Sequence, residues 1–193
     1  MVTGGERFRA RKVIVTAGSW SGKLLGELEL PLEVTRQQVV YYRPADAASF
    51  QLDRFPVFGD ITWGEVFYGF PEFGLEGVKV ARDGLGLDVV DPDTCDRTPD
   101  QSYIEHLRAF LQERIPAAAG AALEAHVCLY TETPDRDFII DTHPQCSELI
   151  LAAGFSGHGF KFCALMGRIL AQMALENGTE FDISPFSLAR FQP

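Results

Sequence analysis

The run Glu148-Leu149-Ile150-Leu151-Ala152-Ala153 breaks directly into Gly154-Phe155-Ser156-Gly157-His158-Gly159-Phe160-Lys161, and this break constrains the chain more than any other stretch. The apolar run has the length and composition of a short buried strand. After the break, Phe162, Leu165, Ile169, Leu170 and Met173 recur at three- and four-residue steps, the spacing of an amphipathic helix. Three glycines within six residues permit positive φ and let another group approach the backbone closely. The N–H groups of the next helical turn have no intrahelical partner and favour an anion or a polarised oxygen. The stretch is either a crossover that holds a ligand or a plain turn, and glycine spacing alone does not choose.

A chain of 193 residues, 46% of them hydrophobic, has enough apolar material for one large domain or two small lobes. Its net charge of −10, with no long Lys/Arg cluster, argues against nucleic acid or an anionic membrane surface and favours a small-molecule partner. Cys95, Cys128, Cys146 and Cys163 form no Cys-x-x-Cys pair. No secretory signal and no apolar run of about 20 residues is present. The reading is a soluble, cytoplasmic protein with free thiols. His106, His126, His143 and His158 are scattered without ligand spacing, so no metal site is expected.

Along the chain, residues 12–17 read as a strand ending at Gly18, with Ser19 able to cap a short helix. A strand so placed needs neighbours, which predicts material upstream or self-association through the strand near 13–16. Residues 34–42, 57–61, 66–70 and 77–81 read as strands of an antiparallel sheet. In the last of these, Lys79 points away from Val78 and Val80. It is an edge-strand gatekeeper if its face is exposed and a functional lysine if that face lines a pocket. The turn at 83–88 lacks a dinucleotide signature, because Val89 stands at the third glycine position and Asp91-Pro92 blocks a helix. A helix follows, with Thr98 as cap, Pro99 first, Gln101 closing a capping box, and Ile104, Leu107, Phe110 and Leu111 on one face; Pro116 ends it. Residues 125–130 read as a strand carrying Val127 and Leu129 on one face and His126, Cys128 and Tyr130 on the other. There Cys128 is either a small buried hydrophobe or a site residue. Turn chemistry at 131–137, a strand at 138–141 and a loop at His143-Pro144 lead back to the glycine turn.

Several of these segments carry a resemblance. Cys128-Leu129-Tyr130-Thr131-Glu132-Thr133-Pro134-Asp135, Phe138-Ile139-Ile140-Asp141 and Ala153 through Lys161 resemble the C-terminal half of the monomeric sarcosine oxidase and N-methyltryptophan oxidase family, flavoproteins of the D-amino-acid-oxidase-like superfamily. Residues 13–25 and Tyr68-Gly69-Phe70-Pro71 fit the same pattern, in order, over nearly the whole chain.

The resemblance implies FAD as cofactor, with Cys128 carrying a thioether to the flavin. Ala17, Gly18 and Trp20 would close the flavin lobe, and backbone groups of Phe155, Gly157, His158, Gly159 and Phe160 would line the flavin. Lys161 would grip a substrate carboxylate. Tyr68 and Tyr130 would shape the substrate pocket, and Lys79 would face the flavin where oxygen is reduced. The implied activity is oxidation of the C–N bond of a secondary amine or N-methyl amino acid with O2 as acceptor. The alternative is a non-catalytic small-molecule-binding or interaction module derived from such an oxidase. The implied fold is α/β (α+β): an antiparallel or mixed substrate-lobe sheet with helices over 32–144, and a partial Rossmann-like FAD lobe from 1–31 and 145–193. Two departures stand out. The sequence has no Gly-x-Gly-x-x-Gly turn for the FAD pyrophosphate, which predicts a complementary N-terminal segment or subunit, and Asp83 stands where the family's sarcosine oxidases have a histidine.

Overall fold

A computed structural model describes residues 2–3, 5–62, 64–84 and 88–191. The middle of the 83–88 turn, residues 85–87, lies outside the described residues. In chain order the elements are β1 (Val2–Thr3), β2 (Glu6–Arg7), β3 (Val13–Val15), α1 (Ser21–Leu24), β4 (Glu33–Tyr42), β5 (Phe58–Asp60), β6 (Val66–Phe70), β7 (Val78–Asp83), α2 (Gln101–Arg114), β8 (Ala122–Glu132), β9 (Ile139–His143), β10 (Cys146–Ala153) and α3 (Cys163–Glu176). The chain divides into a first unit of residues 1–34 with 130–193 and a second of residues 35–129. The fold is mixed α/β; the described residues form an antiparallel pair β1-β2, a mixed three-stranded sheet and a five-stranded sheet.

The first unit is built on a three-stranded sheet in the order β3-β10-β9. β3 runs parallel to β10, with Val13, Ile14 and Val15 opposite Leu149, Ile150 and Leu151, so the strand near the N-terminus has a neighbour. β9 is antiparallel to β10. Strand alternation sends Ile140, Ile150 and Ala152 to one face, against Met166, Ile169, Leu170 and Met173 of α3. Val15, Ile139 and Leu151 go to the other face, with Leu25. Burial on both faces is why residues 150–153 read as an unbroken apolar run.

The helix after the glycine turn starts later than its periodicity predicts. Residues Phe160–Phe162 form a 3-10 turn, and α3 begins at Cys163. The tighter turn shifts the phase, so Met166 takes the buried position and Leu165 is 37% exposed. Ser19 is no cap: it lies inside the 3-10 turn Gly18–Trp20, and Trp20 precedes α1 without a side-chain cap.

The second unit holds an antiparallel sheet in the order β5-β6-β7-β4-β8, and α2 covers one face. Val40, Tyr42, Phe67, Val78 and Val80 point into that interface and meet Ile104, Leu107, Phe110 and Leu111. Phe67 and Phe110 stack at 4.1 Å. Tyr42 is buried, so its hydroxyl needs a partner, and it donates to the Ile104 carbonyl at 2.5 Å. The cap of α2 is Asp100, whose Oδ1 accepts the Ser102 N–H at 2.8 Å, and not Thr98. Thr98 lies before the helix, its carbonyl accepting from Arg36 and its N–H donating to Asp96 Oδ1 at 2.7 Å. The helix ends at Arg114, before Ile115-Pro116, as expected. β8 runs from Ala122 to Glu132 and passes from the second unit to the first between Leu129 and Tyr130.

Candidate functional site

In the first unit, the parallel pairing of β3 and β10 brings their carboxyl ends to one edge of the sheet. That is the edge at which open α/β sheets bind ligands. The segment after β3 is Ala17, Gly18, Ser19 and Trp20; the segment after β10 is the glycine turn. Buried Thr131 joins the two. Its hydroxyl donates to Ser19 Oγ at 3.3 Å, and its carbonyl accepts the Ser156 N–H at 3.0 Å. Gly18 has φ +54° and Trp20 is 44% exposed.

The turn needs glycine for two separate reasons. Gly154 and Gly157 have φ of +63° and +77°, in the left-handed region. Gly157 also lies against the Tyr130 ring: a Cβ there would sit 2.1 Å from Cε2. The Gly157 N–H meets no protein acceptor among the described residues, and Gly157 is exposed. His158 Nε2 donates to the Arg136 carbonyl at 2.9 Å and the ring packs on Phe138 at 4.9 Å. The Phe155 side chain lies against Gly159. Phe160 is 90% exposed, and exposed Lys161 holds its ammonium 5.3 Å from the Phe162 ring centroid.

In the second unit, the sheet face opposite α2 carries the other predicted residues. Strand register sets Lys79 between Tyr41 of β4 and Phe70 of β6, with Tyr68 opposite Ala81. The Lys79 ammonium lies 5.2 Å from the Phe70 ring centroid, and Tyr68 meets Phe70 edge-on at 6.1 Å. β7 is the central strand of five, so the edge-gatekeeper reading of Lys79 fails. Cys128 is half-buried and free. Burial pushes its thiol up, and the Lys79 and Arg97 charges pull it partly back. Tyr41 is raised too, chiefly by burial and then by Glu124 and Cys128. Exposed His126 pairs with Glu124 at 2.9 Å and meets Tyr41 edge-on.

The sequence reading missed Thr131, Ser156, Arg136 and Tyr41. Tyr41 had a usable signal, since antiparallel pairing of the strands at 34–42 and 77–81 can place it opposite Lys79. Ser156 and Arg136 had none: each adopts a positive φ, +46° and +62°, that local sequence does not encode.

A family model described as FAD dependent oxidoreductase matches residues 1–173. A monomeric sarcosine oxidase from Bacillus sp. (strain B-0618) is 43% identical over 196 residues, covering 97% of this chain and 49% of the relative. An N-methyl-L-tryptophan oxidase from Escherichia coli O157:H7 (strain EC4115 / EHEC) is 36% identical over 194 residues, covering 98% of this chain and 50% of the relative. The solved open form of NikD, an unusual amino acid oxidase essential for nikkomycin biosynthesis, superposes with a TM-score of 0.75 at 25% identity. That superposition covers 91% of this chain and 47% of NikD. The chain spans about half the length of the curated relatives it matches. Among the described residues, no helix is long and apolar enough to cross a membrane.

Proposed function

The chain belongs to the FAD-dependent oxidoreductase family, and we propose that it contributes the substrate-side and flavin-lining residues of an oxidase acting on the C–N bond of a secondary amine or N-methyl amino acid. The observation that carries this reading is the half-buried free Cys128 on β8, the strand beside β4, whose Tyr41 stands opposite Lys79 of β7. A nucleophile and a cation among Tyr41, Tyr68 and Phe70 suit a flat aromatic cofactor better than a structural core. The same observation supports Cys128 as the attachment point. In the first unit, the exposed Gly157 N–H suits an acceptor atom that gains negative charge.

When bound, FAD supplies the two-electron acceptor that the protein's own side chains lack. The chain's residues then divide the remaining work. Lys161 pairs with a substrate carboxylate, for which its exposed ammonium is free to move. Tyr68 and Tyr130 exclude water around the amine. Ala17, Gly18, Trp20 and the backbone of Phe155, Gly157, His158, Gly159 and Phe160 line the cofactor. Lys79 holds positive charge where O2 is reduced, stabilising the anion formed by the first electron. The residues present fit the ring end of FAD. They do not fit its pyrophosphate, for which the 193 residues contain no Gly-x-Gly-x-x-Gly turn. A complementary N-terminal segment or subunit supplies that part in this account.

One observation favours a second reading, a non-catalytic binding module: burial pushes the Cys128 thiol up, which disfavours the thiolate that attachment needs. Acid precipitation separates the two. The purified chain alone is expected to be colourless or substoichiometric in flavin. Supplying the N-terminal half of the Bacillus relative in trans is expected to give flavin that stays with the precipitate and is lost in Cys128→Ser. Flavin released by acid from the complemented protein would favour the binding module.

A further inference from the structure

We propose that Arg136 is a positioning residue that sets the direction of the Gly157 N–H by gripping the turn on both sides of that residue. On one side, its Nη2 donates to the Ser156 carbonyl at 3.2 Å. In a planar trans peptide the C=O and N–H point in opposite directions. Anchoring the Ser156 oxygen at Arg136 therefore aims the Gly157 N–H away from it, out of the turn. On the other side, the Arg136 carbonyl accepts His158 Nε2–H at 2.9 Å, which fixes the residue after Gly157.

Two further features mark the grip as built. Glu132 is 8% exposed, and its Oε2 lies 3.3 Å from Arg136 Nε, one helical-turn spacing earlier in sequence. A buried carboxylate of this kind is costly unless paired, so the charge contact keeps the guanidinium on this side of the turn although these two atoms make no hydrogen bond. In addition, Arg136 and Ser156 are two of the four non-glycine residues with positive φ among the described residues, and they meet each other. Strained backbone persists where surrounding contacts over-determine it, and such places cluster at ligand clamps. Ser156 is over-determined here: its N–H donates to Thr131, its hydroxyl to the Gly154 carbonyl, and its own carbonyl accepts from Arg136. The guanidinium also polarises the Ser156–Gly157 peptide, making the outward N–H a stronger donor toward an anionic acceptor.

The inference rests on the proposed function only for what the Gly157 N–H faces, namely an acceptor on the flavin ring. Its test is residue-resolved amide hydrogen exchange on the intact chain, with FAD titration as a second arm. Arg136→Gln is expected to speed exchange at Ser156 and His158 about ten- to a hundredfold, the loss of one charge-assisted hydrogen bond, while amides of β10 and α3 keep their rates. Arg136→Lys, which keeps the charge but loses the fork, is expected to fall between the two, and Glu132→Gln to show a smaller change in the same direction. Exchange at Ser156 and His158 within about twofold of the native chain would overturn the proposal. So would an equal acceleration across β10 and α3, which is the mark of a merely structural residue. In the second arm, native chain complemented with the relative's N-terminal half is titrated with FAD. Weaker binding in Arg136→Gln supports the role, and equal binding in the two overturns it. If the native complemented protein binds no FAD, the cofactor reading fails while the exchange arm still decides the positioning.

Discussion

Replacing Gly154 by alanine tests whether the turn is held by packing from within the first unit. Gly154 is buried with φ +63°, a conformation that costs an L-residue roughly 1–2 kcal/mol. The new Cβ would sit 2.4 Å from Thr133 Cγ2 and 3.1 Å from Leu32 Cδ2. Thr133 has little room to swing. It is β-branched, its hydroxyl donates to the Asp137 carbonyl at 2.8 Å, and its N–H donates to Ser156 Oγ at 3.3 Å. Overpacking of this kind costs about 1–3 kcal/mol, so the total is about 2–5 kcal/mol. That is a large part of the stability of a small domain, typically about 5–15 kcal/mol. Native-state hydrogen exchange at β10 amides reads the first unit separately from the second. Thr133→Ser removes Cγ2 and keeps the hydroxyl, so Gly154→Ala should cost about 1 kcal/mol less in that background. A loss below about 0.5 kcal/mol for Gly154→Ala, or strict additivity with Thr133→Ser, refutes the packing argument.

Two titrating groups give further checks. Arg190 holds the Asp135 carboxyl at about 2, below its ordinary 3.8, through contacts of 2.7 and 3.2 Å. The folded pKa is depressed, so the stabilisation is present above about pH 4 and is lost as pH falls toward about 2. Asp135→Asn should flatten the melting temperature over that interval, and an unchanged acid profile would contradict the pairing. The Cys128 thiol lies above the ordinary cysteine range because burial outweighs the Lys79 charge. Its alkylation, followed on the Cys128 peptide by mass spectrometry, should rise above the ordinary cysteine range, and Lys79→Met should move the rise higher still. A downward move would show that Lys79 does not act on the thiol.

Much of the fold was legible because its pattern is local. The alternation along β7 and the three- and four-residue steps of α2 report faces directly, and the face carrying Lys79 opposite Val78 and Val80 followed from period two alone. Errors arose where short-range geometry competes with periodicity. The 3-10 turn at Phe160–Phe162 rotated Leu165 out and Met166 in, and the helix starts two residues later than Thr98-Pro99 suggests, with Asp100 Oδ1 capping the Ser102 N–H. At the site, the glycines of 154–159 were visible, but the residues that hold them were not. Thr131 links Ser19 to Ser156, across 112 and 25 residues of chain, and such a link has no signature in a single sequence. Lys79 likewise needed strand order, since only that order makes β7 central.

The most direct test of the central claim is a peptide map of the flavin-bearing protein, prepared by supplying the N-terminal half of the Bacillus relative in trans. After acid precipitation and proteolysis, one flavin-labelled peptide is expected, the one containing Cys128, and no label in Cys128→Ser. A label on Cys95, Cys146 or Cys163, or an acid-stable flavin that survives Cys128→Ser, would contradict it.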